Sequence, residues 1–231
     1  LIGHIRLLLG RQGLLANKKV VVTAGGTQEP LDPVRVLTNH SSGKQGYALA
    51  QAALDAGAHV TLITTPTGLT PPVGACVIHV QTAKQMLEAV MNESAESDVL
   101  IMAAAVADFR PKKTSKDKIK KEGGIPQIEL EATQDILKAV SASGAAGRRP
   151  RLVVGFAAES RDLQDNAAVK LESKGLDLIV ANDISSTDAG FAVDTNRVTL
   201  LFANGRKESL PLMSKVEVAE AVMERIAGML N

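Results

Sequence analysis

Short apolar runs rich in β-branched residues alternate along the chain with longer stretches in which apolar residues recur every three or four positions. The short runs are typical of buried strands, and the longer stretches are typical of amphipathic helices. Strands are predicted at 19–24, 59–64, 76–80, 99–104, 126–131, 152–157 and 177–181, helices at 43–56, 83–95, 133–143, 162–174 and 214–230, and a closing hairpin at 197–202 and 207–211. This order predicts an α/β, Rossmann-like fold of three layers. Its sheet is parallel but mixed at the edge, and helices cover both faces.

The head of the chain differs from the regular part that follows it. Residues 1–9 have helical spacing and residues 10–17 are polar and contain glycine, which together indicate an incoming helix and a linker. Because the sequence starts at Leu1 and not at Met, we expect it to be a piece of a longer protein. The remaining length suits one domain with one sizeable core.

The stretch VVVTAGGTQEPLDPVRVLTNHSSGKQG, residues 20–46, has the pattern of a phosphate site. An apolar run ends at Gly25-Gly26, a polar loop follows, and Ser41-Ser42-Gly43 stands at the head of a predicted helix. Glycines let the backbone approach an anion, and the free N–H groups of a helix N-terminus attract negative charge. The stretch therefore predicts phosphate binding.

Composition narrows the class of ligand. The 231 residues carry a net charge of +1 and only 2% aromatic residues, so neither nucleic-acid binding nor a base-stacking surface is indicated, and small-molecule substrates are favoured. Cys76 is the only cysteine, which excludes an internal disulfide and fits a cytoplasmic protein. No apolar run approaches the ~20 residues that a membrane span needs, and we expect no signal peptide before the fold.

Two familiar nucleotide signatures fail on specific residues. A Walker A motif would need glycine at Thr38 and serine or threonine at Gln45. A dinucleotide-binding reductase of the short-chain type would need an acid at the end of the second strand, where Thr64-Thr65 stands, and a lysine four residues after Tyr47, where Gln51 stands. From the residues alone the prediction stops at a nucleotide-binding domain, and a reductase or a non-catalytic nucleotide-sensing module stays open.

A lysine-rich segment follows the strand predicted at 99–104. Six lysines lie within residues 112–121, in the sequence KKTSKDKIKK. Such a segment is either a solvated loop or a flap that carries cations over a polyphosphate. Its position after the carboxyl end of a strand favours the flap.

Five separated motifs, in order along the chain, closely resemble the phosphopantothenoylcysteine synthetase domain of bacterial coenzyme A biosynthesis. They are AGGTQEPLDPVRVLTNHSSGKQG at 24–46, AAAVADFRP at 103–111, KIKK at 118–121, VVGFAAES at 153–160 and DLIVAND at 177–183. The resemblance implies a synthetase domain over 19–231, and identifies 1–18 as the segment that joins it to a flavin-dependent decarboxylase domain. FMN would then belong only to that fused domain.

The resemblance also implies a two-step ligation. The carboxylate of 4′-phosphopantothenate attacks the α-phosphate of CTP, and the amine of L-cysteine then displaces CMP from the acyl-cytidylate. Magnesium or manganese would accompany the CTP. The family further implies a homodimer with an active site shared between subunits.

Roles for individual residues follow from the same resemblance. Lys118 corresponds to an essential lysine in cytidylate formation. Asn39 is implicated in turning over the acyl-cytidylate, and Arg35 grips the phosphate of phosphopantothenate, in some relatives from the partner subunit. Asp108 suits a ribose hydroxyl or the metal ion, or else caps a turn. The remaining nucleotide-binding candidates are Gly25, Gly26, Ser41, Ser42, Gly43, Ala104, Ala105, Phe156, Lys170 and Lys174, and Ala105 also faces the acid substrate.

Three of these assignments compete with plainer alternatives. Phe156 is equally typical of a core residue, and Lys170 and Lys174, one turn apart, are equally typical of a solvent-facing helix surface. The sequence departs from the family at Thr133-Gln134, where an Asn-Pro pair is frequent. We therefore expect the helix start at Asp135 to be kept and its entry to be altered.

Overall fold

The computed structural model describes residues 1–121, 124–159, 163–183 and 193–231. The helices are α1 (Ile2–Gly10), α2 (Lys44–Asp55), α3 (Ala83–Ser94), α4 (Ile136–Ser143), α5 (Leu163–Ser173) and α6 (Lys215–Leu230). The strands are β1 (Lys19–Ala24), β2 (Gln28–Pro30), β3 (Val36–Thr38), β4 (His59–Thr64), β5 (Cys76–His79), β6 (Val99–Met102), β7 (Phe109–Pro111), β8 (Leu130–Ala132), β9 (Leu152–Glu159), β10 (Leu178–Asp183), β11 (Thr195–Asn196), β12 (Val198–Phe202), β13 (Lys207–Ser209) and β14 (Met213–Ser214).

The central sheet has eight strands in the order β13-β12-β10-β9-β6-β1-β4-β5. The strands from β10 to β5 pair in parallel, whereas β12 and β13 pair antiparallel at one edge. The predicted α/β fold with a parallel sheet that is mixed at its edge is confirmed.

Alternating side chains of each strand enter two separate cores. Val20 and Val22 pack on one face of the sheet with α2 and α6, and Val21 packs on the other face with α3, α4 and α5. The buried strands carry apolar residues on both sides because helices cover both faces. This explains why their sequences are continuous apolar runs.

Helix α2 lies unusually close to β1. A Cβ atom at Gly46 would lie 2.6 Å from Ala24 Cβ and 2.8 Å from the carbonyl oxygen of Thr23. Ala50 and Ala53, on the same face of the helix, are fully buried. The small-residue face predicted for this helix is therefore the one that contacts the sheet, and it fixes where the first turn of α2 stands.

Two small hairpins lie outside the central sheet and differ from the predicted pattern. The polar loop after Gly26 contains the antiparallel pair β2 and β3. The short strand predicted near 126–131 is present, but it is shorter and begins later: it is β8, Leu130–Ala132, which pairs with β7. Residues 124–129, before β8, are exposed, and Ile125 is almost fully so.

Several element boundaries also differ from the predicted ones. Helix α4 begins at Ile136, three residues later than predicted, with Asp135 as its N-cap through a 3.1 Å hydrogen bond from the Lys138 N–H. Thr133 instead donates a 2.6 Å hydrogen bond to the carbonyl of Ala107. The first residue of the helix predicted at 162–174, and the last residue of the motif at 153–160, lie outside the described residues.

The segment before β1 packs on the domain. Helix α1 contacts α2, and Arg6 forms an ion pair with Asp55. Leu15 is fully buried, and its N–H donates a 2.8 Å hydrogen bond to the carbonyl of Ala56. No helix within the described part of the chain has the length and apolar character of a membrane span.

Candidate functional site

A cavity of about 450 Å³ opens at the carboxyl ends of the parallel strands. It lies where the chain order reverses between β1 and β6, which is the position at which open α/β sheets bind ligands. The residues that line it are Asn39, His40, Ser41, Ser42, Gly43, Lys44, Gln45, Gly46, Ala103, Ala104, Ala105, Phe156, Ala157, Ala158, Asn182, Asn196 and Lys215.

The predicted phosphate cradle forms one wall of this cavity. Gly43 is the N-cap of α2 and has φ +75°, a left-handed conformation that strongly favours glycine. Ser41 and Ser42 accept long hydrogen bonds of 3.4 and 3.5 Å from the N–H groups of Gly43 and Lys44. Such weak bonds leave these N–H groups available to a stronger acceptor, so this wall can hold an anion.

Gly25 and Gly26 support the cavity from behind and are not among its lining residues. Gly25 has φ +85°, and a side chain there would clash with Thr65. Its carbonyl accepts a 2.8 Å hydrogen bond from the Ala105 N–H, and Gly26 forms an isolated β-bridge with Ala105. The glycines thus let the two loops after β1 and β6 lie side by side.

The loop after β6 forms the adjacent wall with small side chains. Ala104 donates its N–H to the Thr23 hydroxyl at 3.1 Å, and Ala107 donates its N–H to the Thr27 hydroxyl at 2.9 Å. Both threonines are fully buried, so these bonds fix the loop on β1. Ala104 and Ala105 line the cavity, and their small side chains leave room for a ligand against the backbone. Their predicted role in ligand binding stays a prediction.

Asn39 joins the two walls. Its Nδ2 donates a 3.1 Å hydrogen bond to the carbonyl of Val106, which follows the alanine run. Because this bond uses the amide nitrogen, the amide oxygen keeps its acceptor capacity for a bound group. Phe156, at the carboxyl-end region of β9, also lines the cavity, where it is half-buried.

Arg35 and Lys118 do not line this cavity within one chain but lie at a second polar junction. Asp32, in the turn between β2 and β3, is 2% exposed and accepts hydrogen bonds from the N–H groups of Val34 and Arg35, both at 2.8 Å. The Arg35 guanidinium forms an ion pair with the same carboxylate. Its hydrogen bond to Asp32 holds the pKa of that carboxyl well below its usual range, against the opposing effect of burial.

The same junction holds the lysine segment. The Ile119 N–H donates to Asp32 Oδ2 at 3.1 Å, and the Ile119 carbonyl accepts from Arg35 Nη2 at 2.7 Å. Lys118, the preceding residue, is exposed, and its side chain has no hydrogen bond or ion pair among the described residues. Arg35 and Lys118 are therefore placed together by one buried carboxylate.

Asp108, Lys170 and Lys174 were also predicted to bind the nucleotide, but they are not among the residues that line the cavity. Asp108 is exposed, and its backbone carbonyl accepts a 2.9 Å hydrogen bond from the Thr133 N–H. Lys170 and Lys174 belong to the α5 side of the sheet, opposite α2, and Lys174 forms a 3.4 Å ion pair with Asp135. Their nucleotide-binding roles stay predictions.

Comparison with known proteins places the chain in a family. The family model described as the DNA/pantothenate metabolism flavoprotein C-terminal domain matches residues 15–230. The chain belongs to this family. The match covers all the strands and helices from β1 to α6.

Relatives and a solved structure agree with this assignment. The chain is 48% identical over 216 residues to the Coenzyme A biosynthesis bifunctional protein CoaBC of Bacillus subtilis, covering 93% of this chain and 52% of that protein. The corresponding protein of Mycobacterium tuberculosis H37Rv is 46% identical over 224 residues, covering 94% and 53%. The crystal structure of the C-terminal domain of a CoaBC protein superposes with a TM-score of 0.80 at 40% identity, covering 94% of this chain and 98% of that one. The chain spans about half the length of the curated relatives it matches.

Sequence reasoning missed part of the cavity of this DNA/pantothenate metabolism flavoprotein C-terminal domain. Gln45, Asn182, Asn196 and Lys215 line it, but none was predicted as a site residue. One signal was present for Lys215. The Ser214-x-x-Glu217 pattern is a capping box, which places Lys215 in the first turn of a helix, where a cation is unfavourable.

Proposed function

We propose that this chain is the phosphopantothenoylcysteine synthetase part of a coenzyme A biosynthesis protein. In this proposal it joins 4′-phosphopantothenate to L-cysteine with CTP, through an acyl-cytidylate, and releases pyrophosphate and CMP. The single observation that carries it is the cavity at the strand reversal, lined by Asn39 and Ser41-Ser42-Gly43, in a chain with 40–48% identity to CoaBC proteins over most of its length.

Activation of the acid would bring two anions together, so cations and backbone dipoles must offset their repulsion. The N–H groups at the start of α2 would bind phosphate oxygens of CTP, and Lys118 would offset the charge that develops at the α-phosphate. Magnesium bound to the triphosphate would neutralise further charge. Asp108 fits such an ion, because its carboxylate is exposed and has no hydrogen bond or ion pair among the described residues.

The second half-reaction requires the acyl-cytidylate to persist until cysteine attacks. Asn39 Oδ1 would accept a hydrogen bond from the cysteine amine and so orient that amine for attack. Asn39 Nδ2 meanwhile holds the loop after β6 through its bond to the Val106 carbonyl. The small side chains of Ala104 and Ala105 would let the acyl group lie against that loop. These roles assign binding and orientation, and they need no charged base at Asn39.

The same proposal includes a homodimer with a shared active site. Arg35 and Lys118 do not line the cavity of their own chain, whereas the resemblance requires both to reach the substrates. Arg35 lies between β2 and β3, and Lys118 lies between β7 and β8. These two strand pairs and their connections expose large apolar side chains: Val34, Val36, Phe109 and Leu130. A second copy packed on these hairpins would bury them, and would bring Arg35 and Lys118 to the neighbouring cavity.

In the full-length protein we propose a fused flavin-dependent decarboxylase domain, which alone would bind FMN, with residues 1–18 as the connection. The length of the relatives, about twice that of this chain, supports the fusion. We assign the reaction to the cytoplasm, because the exposed thiol of Cys76 suits a reducing compartment. No nucleic-acid or membrane partner is part of the proposal.

The burial and the hydrogen bonds of Tyr47 disfavour the reductase alternative. Tyr47, which would have to be the catalytic tyrosine, is buried, and its hydroxyl lies 3.2 Å from Thr64 Oγ1 and accepts a 3.1 Å bond from Thr67. A hydroxyl held in this way cannot reach a substrate in the cavity. Binding of NADPH without binding of CTP would nevertheless overturn the ligase proposal.

The direct experiment supplies the protein with 4′-phosphopantothenate, L-cysteine, magnesium and either CTP or ATP. We expect phosphopantothenoylcysteine and CMP with CTP, and at least tenfold less product with ATP. Failure to form product with either nucleotide would refute the ligase. Product with ATP alone would refute the choice of CTP.

Two variants separate the half-reactions. Lys118→Gln should stop pyrophosphate release, whereas Asn39→Asp should allow it and accumulate the acyl-cytidylate, because the added carboxylate disturbs only the cysteine step. Lys84→Gln, on the exposed surface of α3, is the control and should behave as the unmodified protein. Loss of the same half-reaction in both site variants would contradict this division of roles.

A further inference from the structure

The second half-reaction of the proposed function releases a proton that neither the amide of Asn39 nor the methyl groups of Ala104 and Ala105 can accept. The α-amino group of an amino acid is mostly an ammonium at pH 7, and an ammonium has no electron pair for attack. One proton therefore leaves for the solvent before attack, and a second leaves the nitrogen as the C–N bond forms. A group in the cavity that accepts this second proton would speed amide formation.

Few side chains in the cavity lining can exchange a proton. Of the described residues that line it, none is an aspartate or a glutamate, and the titratable ones are His40, Lys44 and Lys215. An ammonium group donates hydrogen bonds and accepts none. Histidine is the residue type that takes up and releases a proton near neutral pH, so His40 is the candidate acceptor.

The contacts of these three side chains separate them further. Lys44 Nζ forms a 2.6 Å ion pair with Asp194, and Lys215 Nζ donates a 2.5 Å hydrogen bond to the Val193 carbonyl. The imidazole of His40, in contrast, has no hydrogen bond or ion pair among the described residues. A neutral imidazole has one acceptor nitrogen, and at His40 no described residue occupies it.

The backbone on both sides of His40 is fixed, whereas its side chain is exposed. The Asn39 side chain is bonded to the Val106 carbonyl. A Cβ atom at Gly26 would lie 2.8 Å from the Asn39 carbonyl oxygen and 3.5 Å from Ser41 Cβ, so this stretch packs directly against Gly26. His40 therefore has a set position beside Asn39, and its ring can pass a proton to water.

We propose that His40 is the general base of the second half-reaction, next to the amine that Asn39 orients. As the amine nitrogen bonds to the acyl carbon, His40 takes a proton from that nitrogen. The C–O bond to the cytidylate phosphate breaks, its electron pair leaves with CMP, and the imidazolium then gives its proton to the solvent. This inference rests on the proposed function and names the proton acceptor of that reaction. Cytidylate formation transfers no proton, so His40 has no part in it.

The test measures the two half-reactions in single turnovers, with each protein in excess over CTP. Pyrophosphate is quantified with magnesium and 4′-phosphopantothenate, and phosphopantothenoylcysteine is followed after cysteine is added. The variants are His40→Ala, His40→Gln and the control His4→Ala, at an exposed position of α1. Thermal unfolding of each variant shows that it is folded.

Both His40 variants should release pyrophosphate within about threefold of the unmodified rate and should form the amide about 100–10,000-fold more slowly. His40→Gln should be as slow as His40→Ala, because an amide side chain cannot take up the proton. Added imidazole should speed amide formation about tenfold or more in His40→Ala and leave the unmodified protein unchanged. His4→Ala should match the unmodified protein in both steps.

Amide formation at the unmodified rate in either His40 variant, or equal slowing of both half-reactions, would overturn the proposal. A slow second step that imidazole does not speed would also overturn it, since the ring would then serve packing or binding. These results would leave the ligase intact. Absence of pyrophosphate with the unmodified protein would instead refute the ligase, and the general base with it.

Discussion

The close approach of α2 to β1 predicts the effect of adding one methyl group at Gly46. In Gly46→Ala the new Cβ would lie 2.6 Å from Ala24 Cβ and 2.8 Å from the Thr23 carbonyl oxygen. Both neighbours belong to a central strand of the sheet, so they cannot rotate away as a flexible side chain could. The helix must therefore move outward, and its first turn, which forms one wall of the cavity, must move with it.

Two opposing contributions set the change in unfolding free energy for Gly46→Ala. Overpacking a well-packed core by one methyl group costs about 1–3 kcal/mol. Replacing glycine by alanine within a helix contributes about 0.5–1 kcal/mol of stability. Gly228→Ala, in α6, isolates the second term, because a Cβ atom there meets nothing within 4 Å. The two variants should differ in unfolding free energy by about 1–3 kcal/mol.

Urea unfolding of both variants and of the unmodified protein measures this difference. In thermal unfolding, the midpoint of Gly46→Ala should lie about 2–12 °C below that of Gly228→Ala. The unfolding midpoint of Gly228→Ala should equal or exceed that of the unmodified protein. Gly46→Ala should also weaken CTP binding. Equal stability of the two variants would show that the contact between α2 and β1 at Gly46 is not tight enough to exclude a methyl group.

Three further predictions concern two supports of the site and one ion pair at the edge of the sheet. Thr23→Val should cost about 1–3 kcal/mol of unfolding free energy, because the Ala104 N–H loses its acceptor, and Thr61→Val is the control that should change little. Glu208→Gln should reduce the free energy of unfolding at neutral pH, because the hydrogen bond from Arg225 lowers the pKa of the Glu208 carboxyl in the folded protein. The stability that this carboxylate contributes is present above its pKa in the unfolded chain. It is lost as the pH falls through the lower pKa of the folded protein. Unfolding at a series of pH values should show the gap between the two proteins closing in acid, and a constant gap would contradict the assignment. Asp32→Asn and Lys118→Gln should be non-additive in the rate of ligation, because Asp32 holds the backbone of the lysine segment, whereas independent sites would multiply their effects.

Sequence reasoning predicted what local pattern encodes. The β-branched runs at 19–24 and 152–157 are strands because both faces of the sheet are covered, and the turn at Gly43 begins a helix as expected. Helix α4 was predicted from its apolar spacing, although it begins at Ile136 and not at Thr133, with Asp135 as its N-cap. Such features depend on neighbours in sequence, so they can be read from it.

Features that depend on distant contacts were not predicted. Hairpins β2–β3 and β7–β8 contain no apolar run, and side chains such as Asp32 hold the first of them to the lysine segment 87 residues away. Lys215 is buried only because α6 packs beside α2, a contact that no local pattern encodes. The resemblance to a family supplied roles for Arg35 and Lys118, which do not line the cavity of their own chain. In the proposed function a second copy of the chain would bring them to it.

In the proposed reaction the acid is activated by CTP before cysteine takes part. The most direct test mixes the protein with CTP, magnesium and 4′-phosphopantothenate, and quantifies pyrophosphate before any cysteine is added. We expect a burst of pyrophosphate close to one equivalent per active site, followed by release of CMP when cysteine is supplied. Absence of pyrophosphate until cysteine is present, or absence of CMP afterwards, would contradict it.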